Sequence, residues 1–174
     1  MIASQRVMAP EEILLPAKPG FIAFTLIAAL LLNLLPWSGY LLWFRPDFVA
    51  LVTLYWCIQQ PHRMGFFAAW TLGLLMDVAD ATLFGQHALA YSILAYAGIW
   101  LHRRVRMFPL GAQMLHVIPL LLVNDLIVLL IHMMGGSEFP GFRYFIGSFI
   151  GGALWPPLAF LLTLPQRPGS ESDG

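Results

Sequence analysis

The chain is 174 residues long, 59% hydrophobic and only 10% charged, with a mean hydropathy of +0.76. Globular domains average about 45–50% apolar and about 25% charged residues, so this composition excludes an ordinary soluble fold and points to an integral membrane protein. Net charge is zero, which gives no basis for nucleic-acid binding, and the single Cys57 excludes an intrachain disulfide framework.

A membrane-spanning helix needs about 20 mostly apolar residues. Residues 1–20 read as a cytoplasmic amino-terminal segment. No small-x-small cleavage site follows the first apolar run, which continues into Pro36-Trp37-Ser38-Gly39, so that run is expected to stay as an anchor. The first predicted span covers about 21–42 and the second about 47–60, where Cys57 suits a small apolar filler. The third covers 64–84, the fourth 87–101, the fifth 110–134 and the sixth 142–164, and a polar tail, 165–174, is expected to be disordered.

The second of these is short and could instead be re-entrant. Lys and Arg concentrate on the cytoplasmic side of membrane proteins. Six crossings with both termini inside place Arg6, Lys18, Arg63, Arg103, Arg104, Arg106 and Arg167 in the cytoplasm and leave Arg45 and Arg143 outside. A re-entrant second segment would move Arg63 and the 103–106 cluster outside. The predicted fold is therefore all-α, one membrane domain of six helices over 21–164.

That topology assigns depths. Asp77 lies 14 residues beyond Arg63, or ~21 Å into a hydrocarbon core of about 30 Å. Asp80 follows one turn later, near the outer interface, where solvation suffices. Asp125, 15 residues into the fifth span, reaches a depth similar to that of Asp77. Acids at such depth are costly unless paired, solvated or protonated. Arg45 and Arg143 are the nearby cations, and Asn124, Thr82 and Tyr91 are alternative hydrogen-bond partners. Two readings stand: the acids fix helix packing, or they line a polar pocket or partner site that opens outward.

In the sixth span Gly147 and Gly151 form a GxxxG, and Ser148 and Gly152 repeat the spacing, so helix backbones should approach closely there. Trp155-Pro156-Pro157 predicts a kink. The five histidines never fall at the i, i+3 or i+4 spacing of a helical ligand pair, so neither a metal nor another cofactor is expected. Arg103, Arg104 and Arg106 form a cytoplasmic basic patch that sets topology or contacts anionic lipid or a partner. No GxSG-type, HExxH, GxGD or phosphate-cradling motif is present, which argues against an enzyme.

The chain resembles the MreD family of rod shape-determining membrane proteins. The resemblance rests on Leu35-Pro36-Trp37, Arg45-Pro46-Asp47-Phe48, Leu54-Tyr55-Trp56-Cys57-Ile58 and Pro61-His62-Arg63-Met64-Gly65. It continues through Gly73-Leu74-Leu75-Met76-Asp77-Val78 and Gly85-Gln86-His87-Ala88-Leu89-Ala90-Tyr91 into a basic turn at 102–106, then Phe139-Pro140-Gly141 and Leu154-Trp155-Pro156. The family pattern leads one to expect a glycine shortly after the aspartates, where this chain has Ala81-Thr82, and Asp125 is not a family residue. The resemblance implies a non-enzymatic subunit of the elongation machinery in the bacterial inner membrane. Its implied partners are MreC, MreB, RodA and a penicillin-binding transpeptidase. It also implies a fold like the substrate-binding subunits of energy-coupling-factor transporters, which leaves small-molecule binding or transport as the alternative function.

Overall fold

The computed structural model describes residues 16–39 and 44–166. Most of the expected amino-terminal segment, the far end of the first expected span and the tail beyond Gln166 lie outside the described residues. The described chain is all-helical: α1 Pro19–Leu34, α2 Phe48–Gln59, α3 Phe66–Ala79, α4 Gln86–Arg106, α5 Leu110–Met134 and α6 Ile146–Thr163, with 3-10 turns at Phe142–Phe145 and Leu164–Gln166.

The helices stop where local chemistry stops them. Leu35 turns to extended backbone (ψ 140°) ahead of Pro36, whose ring disfavours a helical residue before it. α1 thus ends well short of residue 42. α3 ends at residue 79 rather than 84, in a Schellman motif: Thr82 N–H donates to Asp77 C=O at 3.1 Å and Ala81 N–H to Val78 C=O at 3.4 Å. The residue that must go left-handed there is Ala81, at φ +50°. α4 runs past the expected end at 101, through the basic cluster to Arg106. The expected basic turn is helix, because arginine is a good helix former and suits a helix C-terminus.

Consecutive helices run antiparallel. Asn33 near the end of α1, Asp47 before α2, Met76 and Asp80 at the end of α3, Gln86 and His87 opening α4, and Gly147 and Ser148 opening α6 gather at one end of the bundle. Gln59 and Gln60 ending α2, His102 and Arg106 ending α4, and Gln166 gather at the other.

α2 is the core. Every residue from Val49 to Ile58 is buried, enclosed chiefly by α1 and α4 with α5 and α6 behind. Trp56 packs edge-on against Tyr55 and Phe21, and its indole N–H donates to Thr25 Oγ1 at 2.9 Å. Trp155 of α6 likewise donates to Gln113 of α5 at 2.9 Å. Buried indoles need such partners.

The outward face is apolar instead. Phe24, Ile27 and Leu31 of α1, Phe67 and Trp70 of α3, Trp100 of α4 and Leu115 and Leu130 of α5 are all exposed. A water-soluble monomer rarely presents so much apolar surface. α5 and the stretch Phe142–Gln166, each of 25 residues, are long and apolar enough to cross a membrane; α1, α2 and α3 are apolar but shorter.

Candidate functional site: a polar hollow at one end of the bundle

Asp77 is 1% exposed, and its carboxylate closes the α3–α4 hairpin. The N-cap of α4 is Gly85, whose φ of +99° only glycine adopts readily and which brings no capping side chain. The first amides of a helix lack intrahelical partners. Asp77 supplies them from the preceding helix: Gly85 N–H and His87 N–H each donate to it at 2.8 Å, and Ala88 N–H at 3.4 Å. His87 Nδ1 stands 2.9 Å from the same carboxylate, and the Thr82 hydroxyl lies at 3.4 Å. A negative charge at a helix N-terminus is further favoured by the helix dipole. Of the expected partners Thr82 is present, but Arg45 turns to Asp80 instead, at 3.9 Å.

Beside this hairpin lies a hollow of ≈ 380 Å³. Its walls bring together Arg45, Asp47, Asp80, Asp125, Asn124 and Gln86, and include Tyr144 and His132. Asp77 is not among the walls, although Thr82 and His87 are. Arg143 sits exposed in the 3-10 turn before α6 and is not a lining residue.

Asp47 takes the place in the hollow that Asp77 was expected to hold. It caps α2, accepting from Ala50 N–H at 3.0 Å, and it also accepts from Asn33 Nδ2 at 3.0 Å and the Tyr91 hydroxyl at 2.7 Å. Asn33 in turn accepts from Phe48 N–H at 3.0 Å. Three helices, α1, α2 and α4, are thereby tied to one carboxylate region. Its sequence signal was available: an aspartate directly before an apolar run is an N-cap signature. Tyr91 was named as a partner for the wrong aspartate. Asn33 gave no signal apart from being an amide inside an apolar stretch.

Asp125 accepts from the Ser148 hydroxyl on α6 and from Asn124 Nδ2 at 3.5 Å. Asn124 and Gln86, 2% and 3% exposed, each keep a side-chain oxygen without a hydrogen-bond partner. The hollow thus holds acceptors that no described group satisfies.

The small-residue motif finds its partners inside the bundle. A Cβ on Gly151 would meet Leu121 Cδ1 at 2.9 Å, one on Gly152 would meet Ile118 Cγ1 at 2.1 Å, and one on Gly147 would meet the Arg45 carbonyl at 2.7 Å. A tighter approach to backbone lies elsewhere: at Gly73 a Cβ would lie 2.4 Å from Ala88 Cα. Arg103, Arg104 and Arg106 occupy the last turn of α4, at the end away from the hollow.

An apolar exterior around buried amides, hydroxyls and carboxylates is the inversion typical of a helical membrane protein. The chain belongs to the MreD family: the profile of "rod shape-determining protein MreD" matches residues 18–164. It is 27% identical over 141 residues to the rod shape-determining protein MreD of Haemophilus influenzae, covering 81% of this chain and 87% of that relative. No solved structure gives a significant match.

Proposed function

We propose that this protein is a non-enzymatic subunit of the bacterial cell-elongation complex. It crosses the inner membrane six times, holds MreC and helps position lateral peptidoglycan synthesis. The observation that carries the reading is the family match along nearly the whole helical region. The antiparallel order of the helices supports six crossings, and the gathering of Arg63, Arg103, Arg104 and Arg106 at one end supports a cytoplasmic assignment for that end. MreC and the synthases RodA and the penicillin-binding transpeptidase share the membrane with it, and MreB meets the cytoplasmic face. Mild crosslinking followed by affinity purification from native membranes should recover MreC and the synthases with the tagged chain. Their absence under conditions that recover the intact protein would sink the reading.

The hollow favours a second reading, binding of a small molecule in the manner of the vitamin-transporter subunits the family resembles. Three carboxylates against Arg45, together with two unpaired amide oxygens, suit a cationic, hydrogen-bond-donating guest. Native mass spectrometry of the protein taken from its host should then show a bound low-mass amine that is lost from an Asp125→Leu variant. A clean apo mass in gentle detergent would remove this reading and leave the first intact.

A further inference from the structure

The opposite end of the bundle holds a second cavity, of ≈ 340 Å³, walled in part by Gln60, His62, Arg63, His102, Arg106 and Gln166. No carboxylate among the described residues lines it. Among the described residues neither Arg63 nor Arg106 forms an ion pair. The floor is fixed by amides: Gln60 Nε2 donates to Gln166 Oε1 at 3.4 Å, and Gln166 Nε2 donates to the Leu162 carbonyl at 2.7 Å. Two arginines, from the loop after α2 and the last turn of α4, therefore line one cavity whose other described walls carry amides and two imidazoles.

Setting topology needs positive charge on this face but no cavity, and complementing the α4 dipole explains Arg106 but not Arg63. Arg103 and Arg104 belong to the same basic cluster yet do not line the cavity. We propose that this cavity binds a phosphate group, held by the forked guanidiniums of Arg63 and Arg106. Arginine matches phosphate oxygens in pairs. At the end of a helical bundle in a membrane, the two sources of that chemistry are an anionic phospholipid headgroup and a free phosphate.

The test is thermal unfolding of the full-length protein in neutral detergent. One arm adds phosphatidylglycerol against phosphatidylcholine; the other adds inorganic phosphate against sodium chloride at equal ionic strength. Phosphatidylglycerol should raise the melting temperature by about 3–5 °C at tenfold excess over Kd. The double variant Arg63→Gln/Arg106→Gln should lose that rise. Arg103→Gln/Arg104→Gln, which removes the same charge outside the cavity, should keep it. A rise with inorganic phosphate that is likewise lost only in the first variant supports the site with a soluble ligand. If both variants respond alike, whether fully or weakly, the attraction is diffuse and the site is refuted, as it is if the wild-type protein responds to neither probe. Should the first variant not purify as a folded, monodisperse protein, Arg106→Gln is read against Arg104→Gln on the same criterion.

Discussion

Asp77 shows how a residue can be conspicuous in sequence while its work stays hidden. A carboxylate inside an apolar run is legible at once, but the amides it serves lie 8 to 11 residues ahead. They converge on it only because Ala81 and Gly85 turn the chain left-handed. Asp77→Asn keeps one acceptor oxygen and should cost about 1–2 kcal/mol, whereas Asp77→Leu strands several buried amides and should cost about 3 kcal/mol or more. Complementation of a deletion strain, with abundance checked by blot, should show Asn supporting rods at least in part and Leu failing. Normal rods at normal abundance with Leu would end the capping account. Ala81 carries the opposite expectation. Its left-handed backbone costs an L-residue about 1–2 kcal/mol. Ala81→Gly should therefore stabilise by about 0.5–1 kcal/mol after the entropy glycine loses on folding, read as a higher apparent Tm in detergent. A lower Tm would show that the Ala81 methyl packs more usefully than its backbone strain costs.

Helices were legible from apolar runs flanked by Pro, Gly and charge, and α5 falls where hydropathy places it. Hydropathy misplaced the ends of α1, α3 and α4, because a Schellman motif and a helical arginine cluster are matters of backbone hydrogen bonding and propensity. It also understated α2, the shortest helix, which proves to be the most enclosed. The GxxxG of α6 announced close packing, yet the closest approach to another helix's backbone is at Gly73, which stands outside any GxxxG. These contacts differ in what can yield. A methyl at Gly73 would strike the Ala88 backbone, while one at Gly151 would press on the mobile tip of Leu121. Gly73→Ala should cost about 2–3 kcal/mol and Gly151→Ala under about 1.5 kcal/mol. Fluorescence-detected size exclusion after graded heating ranks the two, and a Gly73→Ala protein as heat-resistant as the parent would contradict the tight α3–α4 seam.

The bundle as a whole is polarised end to end, and this bears on how α2 and α3 sit in a membrane. With 12 and 14 residues they measure about 18 and 21 Å, short of a core of about 30 Å. Length alone would allow them to form a re-entrant pair. Two features oppose that. α2 starts at Asp47 in the acidic hollow and ends at Gln59 beside the basic cavity, so it joins the same two ends as the longer α4. Its flanks are also polar and sheltered by neighbouring helices, which lets a short helix sit inside a thicker bundle without exposing its termini to lipid. Alkaline phosphatase and green fluorescent protein fused in turn after Pro36, His62, Thr82, Met107 and Gly136 should report outside, inside, outside, inside, outside. The decisive position is His62. Fluorescence there with phosphatase activity at Thr82 fits six crossings, whereas phosphatase activity at both Pro36 and His62 would make α2 re-entrant and place the Arg103–Arg106 cluster outside, against the charge rule.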